Sequence, residues 1–268
     1  MTFYDRVPIS AEEDLAEVYH GNTRFYRYQE ERRPIDEVAD ADLPPVDVRS
    51  YASDIDGRQG LPAPQPLSSA LTATIMTRTS RRDLTGTALN LADIATLLAH
   101  TYGVPNGGDG DSGEAASPTM PPRRTVPSAG ARYPLEWFVV DRGLGGLGGG
   151  IHHYHPPSHA LEVVDRRAQA ADAAFAAFLD QPFLDHAAAI FMVGAQFGRT
   201  CVKYGERGYR LILLEAGHAM QNLQLAAHAA GLGATALGGF IDDELNALVA
   251  MDGPDEGILA AVAIGQLA

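Results

Sequence analysis

Cysteine is almost missing from this chain: Cys201 is the only one in 268 residues. A single thiol excludes a disulfide framework and any multi-cysteine zinc site. Long hydrophobic runs are missing too. No stretch approaches the roughly 18 apolar residues of a membrane span, and the start does not resemble a signal peptide. These absences lead to the expectation of a cytoplasmic protein. Basic residues are scarce, 20 Lys and Arg against 34 Asp and Glu, for a net charge of -14. Nucleic acid is therefore not expected as the main partner, because phosphate neutralisation supplies most of that affinity. There is no G-x-S-x-G elbow, no Walker A loop, and no G-x-G-x-x-G leading from a strand into a helix; Gly143 to Gly150 follows one strand run but leads into another.

What is present is an ordinary enzyme composition, 46% hydrophobic and 20% charged. That excludes wholesale disorder and is enough for one large domain or two small ones. Residues 1–66 are polar and punctuated by proline, and read as an extended arm. A short helix fits 11–19, with Ser10 and Glu13 at capping-box spacing. Residues 67–268 read as a globular domain. Helices fit 67–77, 91–101 closed by Gly103, and 168–180. Strand-like runs at 135–141, 150–155 and 159–164 suggest an antiparallel meander. A buried strand fits 187–195, and the longest helical pattern spans 206–230 and ends at Gly231. A Gly-rich strand or loop at 233–240 comes next, then a helix capped by Asp242 or Asp243, and a last buried strand at 257–265. Helices and strands mix without regular alternation, so the expected class is α+β.

Several groups suggest chemistry. Arg78, Ser80 and Arg82 alternate along an extended segment and can face one way, a workable phosphate clamp; Arg123 and Arg124 form a second basic pair. Pro127, Ser128, Ala129 and Gly130 make a small-residue loop whose amides can approach a flat ligand, and Gly238 and Gly239 have the same character. Either loop alone also reads as a simple turn. Lys203 and Tyr204, between an apolar strand and the long helix, are candidate general bases. No metal site is expected. His152 and His153 point to opposite faces of a strand, and the calcium-like residues 109–114 lack the remaining ligand positions. Cys201 and His218 read as core residues.

Taken in order, these motifs resemble the flavin-dependent nitroreductase superfamily, and within it the SagB-type branch of azoline dehydrogenases. The resemblance covers about 70–268 and rests on Arg78-Thr-Ser-Arg-Arg82, Pro127-Ser-Ala-Gly-Ala-Arg-Tyr-Pro134, Ile151-His-His-Tyr154, Lys203-Tyr-Gly-Glu-Arg-Gly-Tyr-Arg210, Glu215-Ala-Gly-His218, Gln221-Asn222, Gly238-Gly-Phe240 and Ile264-Gly265. Tyr19-His20 and Asn22-Thr23-Arg24 resemble that branch's N-terminal segment. It implies a nitroreductase-like fold, an antiparallel or mixed central sheet flanked by helices, in a homodimer with a long core helix and FMN in interface sites. Arg78, Ser80 and Arg82 would hold the phosphate end, Pro127 to Gly130 would line the isoalloxazine, and Gly238 and Gly239 would lie at its other face or edge. Lys203-Tyr204 falls where that branch carries its catalytic pair. The implied reaction turns a thiazoline or oxazoline of a peptide precursor into the azole, with oxygen reoxidising the flavin. Whether a cyclodehydratase partner must be bound is left open. Two departures from plain nitroreductases stand out: Ala131 where many carry Asn, and no basic residue in Gln266-Leu-Ala268. The alternatives are an NAD(P)H-dependent nitro- or quinone reductase, an azoline oxidase acting on carrier-tethered nonribosomal intermediates, and a flavin-free docking scaffold.

Overall fold

The computed structural model describes residues 46, 48–51, 57–67, 70–105, 122–179 and 181–268. The expected helix at 11–19, most of the arm and the calcium-like residues 109–114 lie outside these residues. The described residues form an antiparallel seven-stranded sheet with six α-helices, an α+β architecture. Its strands are β1 (Arg58–Gly60), β2 (Leu135–Asp141), β3 (Gly150–His155), β4 (Ala160–Asp165), β5 (Ala189–Gln196), β6 (Leu232–Leu237) and β7 (Glu256–Gln266), in the order β1-β4-β3-β2-β5-β7-β6. The expected meander is present as β2, β3 and β4, paired antiparallel in succession. β1 adds an edge strand from residues preceding 67, with Arg58 opposite Glu162.

β5 lies inside the sheet and is buried along nearly its whole length, so its sequence is a continuous apolar run instead of an alternation. The helices are α1 (Leu71–Thr77), α2 (Leu91–Tyr102), α3 (Ala168–Ala176), α4 (Phe197–Tyr204), α5 (Arg207–Ala229) and α6 (Asp242–Leu248). Trp137 and Val139 face the core under α2 and α5, joined by Ile94, Leu98, Ile212 and Leu223. Phe138 and Val140 face the opposite core under α3 and α6, with Phe175, Met192 and Leu245. The period-two alternation of β2 thus feeds both layers. α2 begins with a capping box: the Asn90 carboxamide oxygen accepts from the Asp93 N–H at 2.9 Å, and the Asp93 carboxylate accepts from the Asn90 N–H at 3.2 Å.

The structure corrects three local expectations. α1 begins at Leu71, not 67. α3 stops at Ala176, because Leu179 adopts a positive φ of 63°. Ile241, not Asp242 or Asp243, occupies the N-cap of α6, and both aspartates fall in the first turn, where their charge suits the helix dipole. The stretch between β5 and the long helix, for which the sequence suggests no element, is helical: the chain turns at once into α4, which carries Arg199, Cys201, Lys203 and Tyr204. Cys201 is therefore a half-buried helical residue, with Gly208 of α5 packed so closely that an added Cβ would come within 2.8 Å of its Cα.

Candidate functional site

Helix α4 is short and has no side-chain N-cap, so isolated it would not persist. Tertiary contacts hold it. Arg199, one turn before Lys203, pairs with the buried Glu136 of β2 at 2.8 Å and donates to the Tyr133 carbonyl at 3.2 Å. Arg132 donates back to the Arg199 carbonyl at 2.8 Å. These bonds fasten α4 to the segment Pro127–Pro134, which otherwise has little side chain to grip.

That segment carries the small-residue loop. Gly130 has φ +59°, the left-handed region where a Cβ is unfavourable. A Cβ placed on Gly130 would meet the Tyr204 hydroxyl at 2.9 Å, Lys203 Cδ at 3.2 Å and Lys203 Nζ at 3.5 Å. The loop and the Lys-Tyr pair, about 75 residues apart in the sequence, are therefore in direct contact. Lys203 Nζ also lies 5.9 Å from the Tyr204 ring centroid. Gly130→Ala is expected to destabilise the protein by more than Gly231→Ala. Gly231 has φ +75° and open space at its Cβ, so it isolates the backbone cost of about 1–2 kcal/mol. The excess, read from urea unfolding midpoints, measures the contact with Tyr204; equal midpoints would mean that Tyr204 does not rest on the loop.

Behind the loop lies a group that the sequence did not single out. Glu215 of α5 is 2% exposed and accepts hydrogen bonds from Tyr102 Oη at 2.8 Å and from the Ser128 hydroxyl. Burial raises its pKa to about 7 against the opposing pull of those two hydrogen bonds and of the Arg124 charge. Arg124 is buried as well, its guanidinium 5.4 Å from the Tyr133 ring centroid and 5.9 Å from that of Tyr102. Burial lowers its pKa. Of the basic pair, only Arg123 is exposed, and Arg124 faces the tyrosines instead of a surface phosphate.

The arginine cluster lies elsewhere. Arg81 is bound inward: its N–H donates to the Ala234 carbonyl at 3.0 Å, its carbonyl accepts from Thr235 Oγ1 at 2.6 Å, and its guanidinium pairs with Asp83. Ser80 and Arg82 are exposed and Arg78 is half-buried; the Arg82 guanidinium lies 5.8 Å from the Phe183 ring centroid. Thr77, adjacent to Arg78, bonds His228 Nε2 at 2.8 Å, whereas Ser128 bonds Glu215. Thirteen helical positions separate Glu215 from His228, about 20 Å along α5 at 1.5 Å per residue. One chain thus holds the loop and the cluster at separate points along the same helix. Gly238 and Gly239 follow β6. Gly238 has open space where a Cβ would be, and Gly239 faces Leu179 at 3.6 Å. Among the imidazoles, His153 is fully buried between Glu136 and Glu162. His152 bonds the Gly149 carbonyl, His155 bonds Ser158 and His159 bonds Tyr154. His218, expected in the core, is exposed on α5.

The molecule thus combines an antiparallel sheet with helices on both faces, a glycine loop against a Lys-Tyr pair, and a separate arginine cluster. The nitroreductase family model matches residues 75–266, and the chain belongs to the nitroreductase family. Proteins of this family are flavoproteins, which puts the chain among oxidoreductases. It is 33% identical over 175 residues to the nitroreductase-family protein MJ1384 of Methanocaldococcus jannaschii, across 65% of this chain and 81% of that one. It is 31% identical over 118 residues to the trifolitoxin-processing protein TfxB of Rhizobium leguminosarum bv. trifolii, 41% of this chain and 31% of TfxB. The microcin B17-processing protein McbC of Escherichia coli is 29% identical over 163 residues, 58% of this chain and 54% of McbC. The chain therefore spans about half or less of the two processing proteins. In fold it is similar to a chain of the Escherichia coli microcin synthetase McbBCD complex with truncated pro-MccB17 bound, with a TM-score of 0.58 and 21% identity over 94% of this chain and 92% of that one. No helix among the described residues is long and apolar enough to cross a membrane.

Proposed function

We propose that this protein is an FMN-dependent azoline dehydrogenase, oxidising thiazoline or oxazoline rings of a peptide precursor to thiazoles or oxazoles. The observation that carries this reading is the contact of Gly130 with Lys203 and Tyr204. A redox site built only to accept hydride needs no base, whereas aromatising an azoline also requires loss of the ring Cα proton. Similarity to proteins named for processing microcin B17 and trifolitoxin supports a peptide substrate.

The residues fit a flavin. At Gly130 there is no room for a side chain, so backbone forms the loop's surface there, as a flat ring system requires. Arg78, Ser80 and Arg82 supply two guanidinium groups and a hydroxyl for a phosphate. The loop and the cluster are anchored at points about 20 Å apart along α5, which supports a site that takes the cluster from one copy and the loop from another. Exposed Leu71, Ile75 and Met76 on α1 and Leu213 and Leu214 on α5 supply apolar surface for that homodimer. Bound FMN would supply the two-electron chemistry, accepting the hydride from the ring carbon beside Cα. Lys203 or Tyr204 takes the Cα proton, and Arg199 holds both through α4. The substrate's position in a larger assembly with a cyclodehydratase belongs to the same reading.

The test is an absorbance spectrum of the purified protein, followed by anaerobic NADPH and, separately, an azoline peptide. Flavin bands that persist with NADPH and bleach with the azoline are the expected result. Rapid bleaching by NADPH alone would favour the nitro- or quinone reductase that similarity to the Methanocaldococcus jannaschii protein suggests. A protein that takes up no flavin would sink both.

A further inference from the structure

Among the buried titratable groups outside the proposed reaction, Glu215 has the geometry that goes furthest. Two hydrogen-bond chains end on its carboxylate. In the first, the Tyr133 N–H donates to Ser128 Oγ at 2.8 Å, and the Ser128 hydroxyl donates to Glu215. In the second, the Leu135 N–H approaches Tyr102 Oη at 3.4 Å, and Tyr102 donates to Glu215 at 2.8 Å. Ser128, Tyr133 and Leu135 bracket Gly130, the residue against Lys203 and Tyr204. The whole turn between Ser128 and β2 is therefore referenced to one carboxylate on α5. An ionised carboxylate offers only acceptors, and both hydroxyls can donate to it at once; a protonated one must find an acceptor for its own hydrogen. Protonation thus forces at least one chain to rearrange.

We infer that Glu215 is a positioning residue whose ionisation state sets the conformation of the Ser128–Gly130 loop, and through it the placement of Lys203 and Tyr204, which rest on that loop. Its connection to catalysis rests on the proposed flavin site; its effect on the loop does not. The groups that act on it are Tyr102 on α2, the Ser128 hydroxyl and Arg124; Glu136 on β2 acts on Tyr102, and Lys203 and Tyr204 on α4 lie against Gly130. Arg124 is the nearby cation. It favours ionisation but does not overcome burial, which places the transition at about pH 7. Loop geometry therefore changes across neutral pH, where an ordinary carboxylate is already fully ionised.

The experiment uses the full chain and two readouts. The first needs no flavin: the 13C-carboxyl resonance of Glu215, and the amide resonances of Gly130 and Ala131, are followed from pH 5 to 9. All three are expected to titrate together near pH 7, and in Glu215→Gln the two loop amides stay flat. The second is the FMN dissociation constant over the same range. It is expected to change at least threefold with the same midpoint in the wild type, to stay flat in Glu215→Gln, and to shift its midpoint in Glu215→Asp, which keeps the charge but shortens the reach. Should the carboxyl titrate below pH 5, or the loop amides ignore its titration, the inference fails. Absence of FMN binding at every pH would overturn the flavin reading, while the resonance readout still decides the role of Glu215. If Glu215→Gln does not fold, the wild-type and Glu215→Asp titrations alone decide it.

Discussion

Replacing Lys203 with Ala and Tyr204 with Phe together is expected to reduce azole formation by about 10²–10⁴-fold, the usual contribution of a positioned general base, while FMN stays bound. The retention is the informative half. Lys203 and Tyr204 approach Gly130 through their side chains, but α4 is fixed by Arg199, which pairs with Glu136 and bonds the Tyr133 carbonyl. Truncating the pair should leave the helix and the loop in place. Activity is read as azole formation from a synthetic azoline peptide by mass spectrometry, and cofactor as the flavin-to-protein absorbance ratio. Single variants divide the roles. If Tyr204 carries the proton and Lys203 polarises it, Tyr204→Phe will match the double variant and Lys203→Arg will retain part of the activity; the reverse assignment makes Lys203→Arg the severe change. Normal turnover by the double variant would remove the base from the mechanism and favour a reductase.

Local pattern was enough for most of the sheet. β2 follows Pro134, β3 opens on Gly150 and ends at Pro156, and β5 is a continuous apolar run, and their limits in the sequence and the structure differ by two residues at most. α2 was legible from its spacing and from Gly103. Helix α4 was not, because Gly198, Thr200 and Val202 are poor helix formers. Its stability comes from Arg199 and from the close seat of Gly208 on Cys201, contacts made by residues distant in sequence or in the next helix. Glu215 was visible only as part of a motif. A carboxylate on a long helix reads as a solvated face until the fold shows Tyr102 and Ser128 closing over it. In the sequence the loop and the Lys-Tyr pair are separate motifs, and only the structure joins them at Gly130. The interior charges were the least legible of all: Glu136, His153 and Glu162 stand on three different strands, and only the register aligns them.

That register carries the second large effect. His153 Nε2 lies 2.7 Å from Glu136 and Nδ1 3.3 Å from Glu162, with all three side chains nearly or fully inaccessible. Glu162 also accepts from Arg58 Nε at 2.6 Å, Ser50 Oγ at 2.8 Å and the Tyr51 N–H at 2.5 Å. Burial opposes a charge on His153, but the two carboxylates more than reverse it and its pKa is raised. Burial likewise opposes charge on Glu162 and Glu136, and hydrogen bonding overcomes it: from His153, Tyr51, Ser50 and Arg58 in the first case, from His153 and Arg199 in the second. Both carboxyls fall below the usual range. The contribution of His153 is therefore complete below its unfolded pKa of about 6.5 and lost as pH rises through the raised folded value; those of the carboxylates are present above about 4.5 and lost as pH falls through the depressed ones. His153→Leu is expected to cost about 3–5 kcal/mol at pH 7, since it removes the cation shared by two buried carboxylates and leaves each with a single arginine, Arg199 for Glu136 and Arg58 for Glu162. It should also move the pH response. In the wild type His153 takes up a proton on folding, so stability rises as pH falls toward about 6.5 and this contribution is complete below it; in the variant one of the two carboxylates prefers a proton, and its gain continues below about pH 6.5 toward the unfolded carboxylate value. Urea unfolding at pH 5.5, 6.5 and 8.5 checks this: the variant is expected to gain more than the wild type between pH 6.5 and 5.5, and an equal gain over that interval would show that His153 is not the cation between the two carboxylates. Adding Glu162→Gln to the variant removes one stranded charge and should recover part of the loss at pH 7. It cannot recover the anchoring of Ser50, Tyr51 and Arg58, whose shared acceptor is Glu162, so proteolysis near residue 50 should be faster in the double variant than in the wild type.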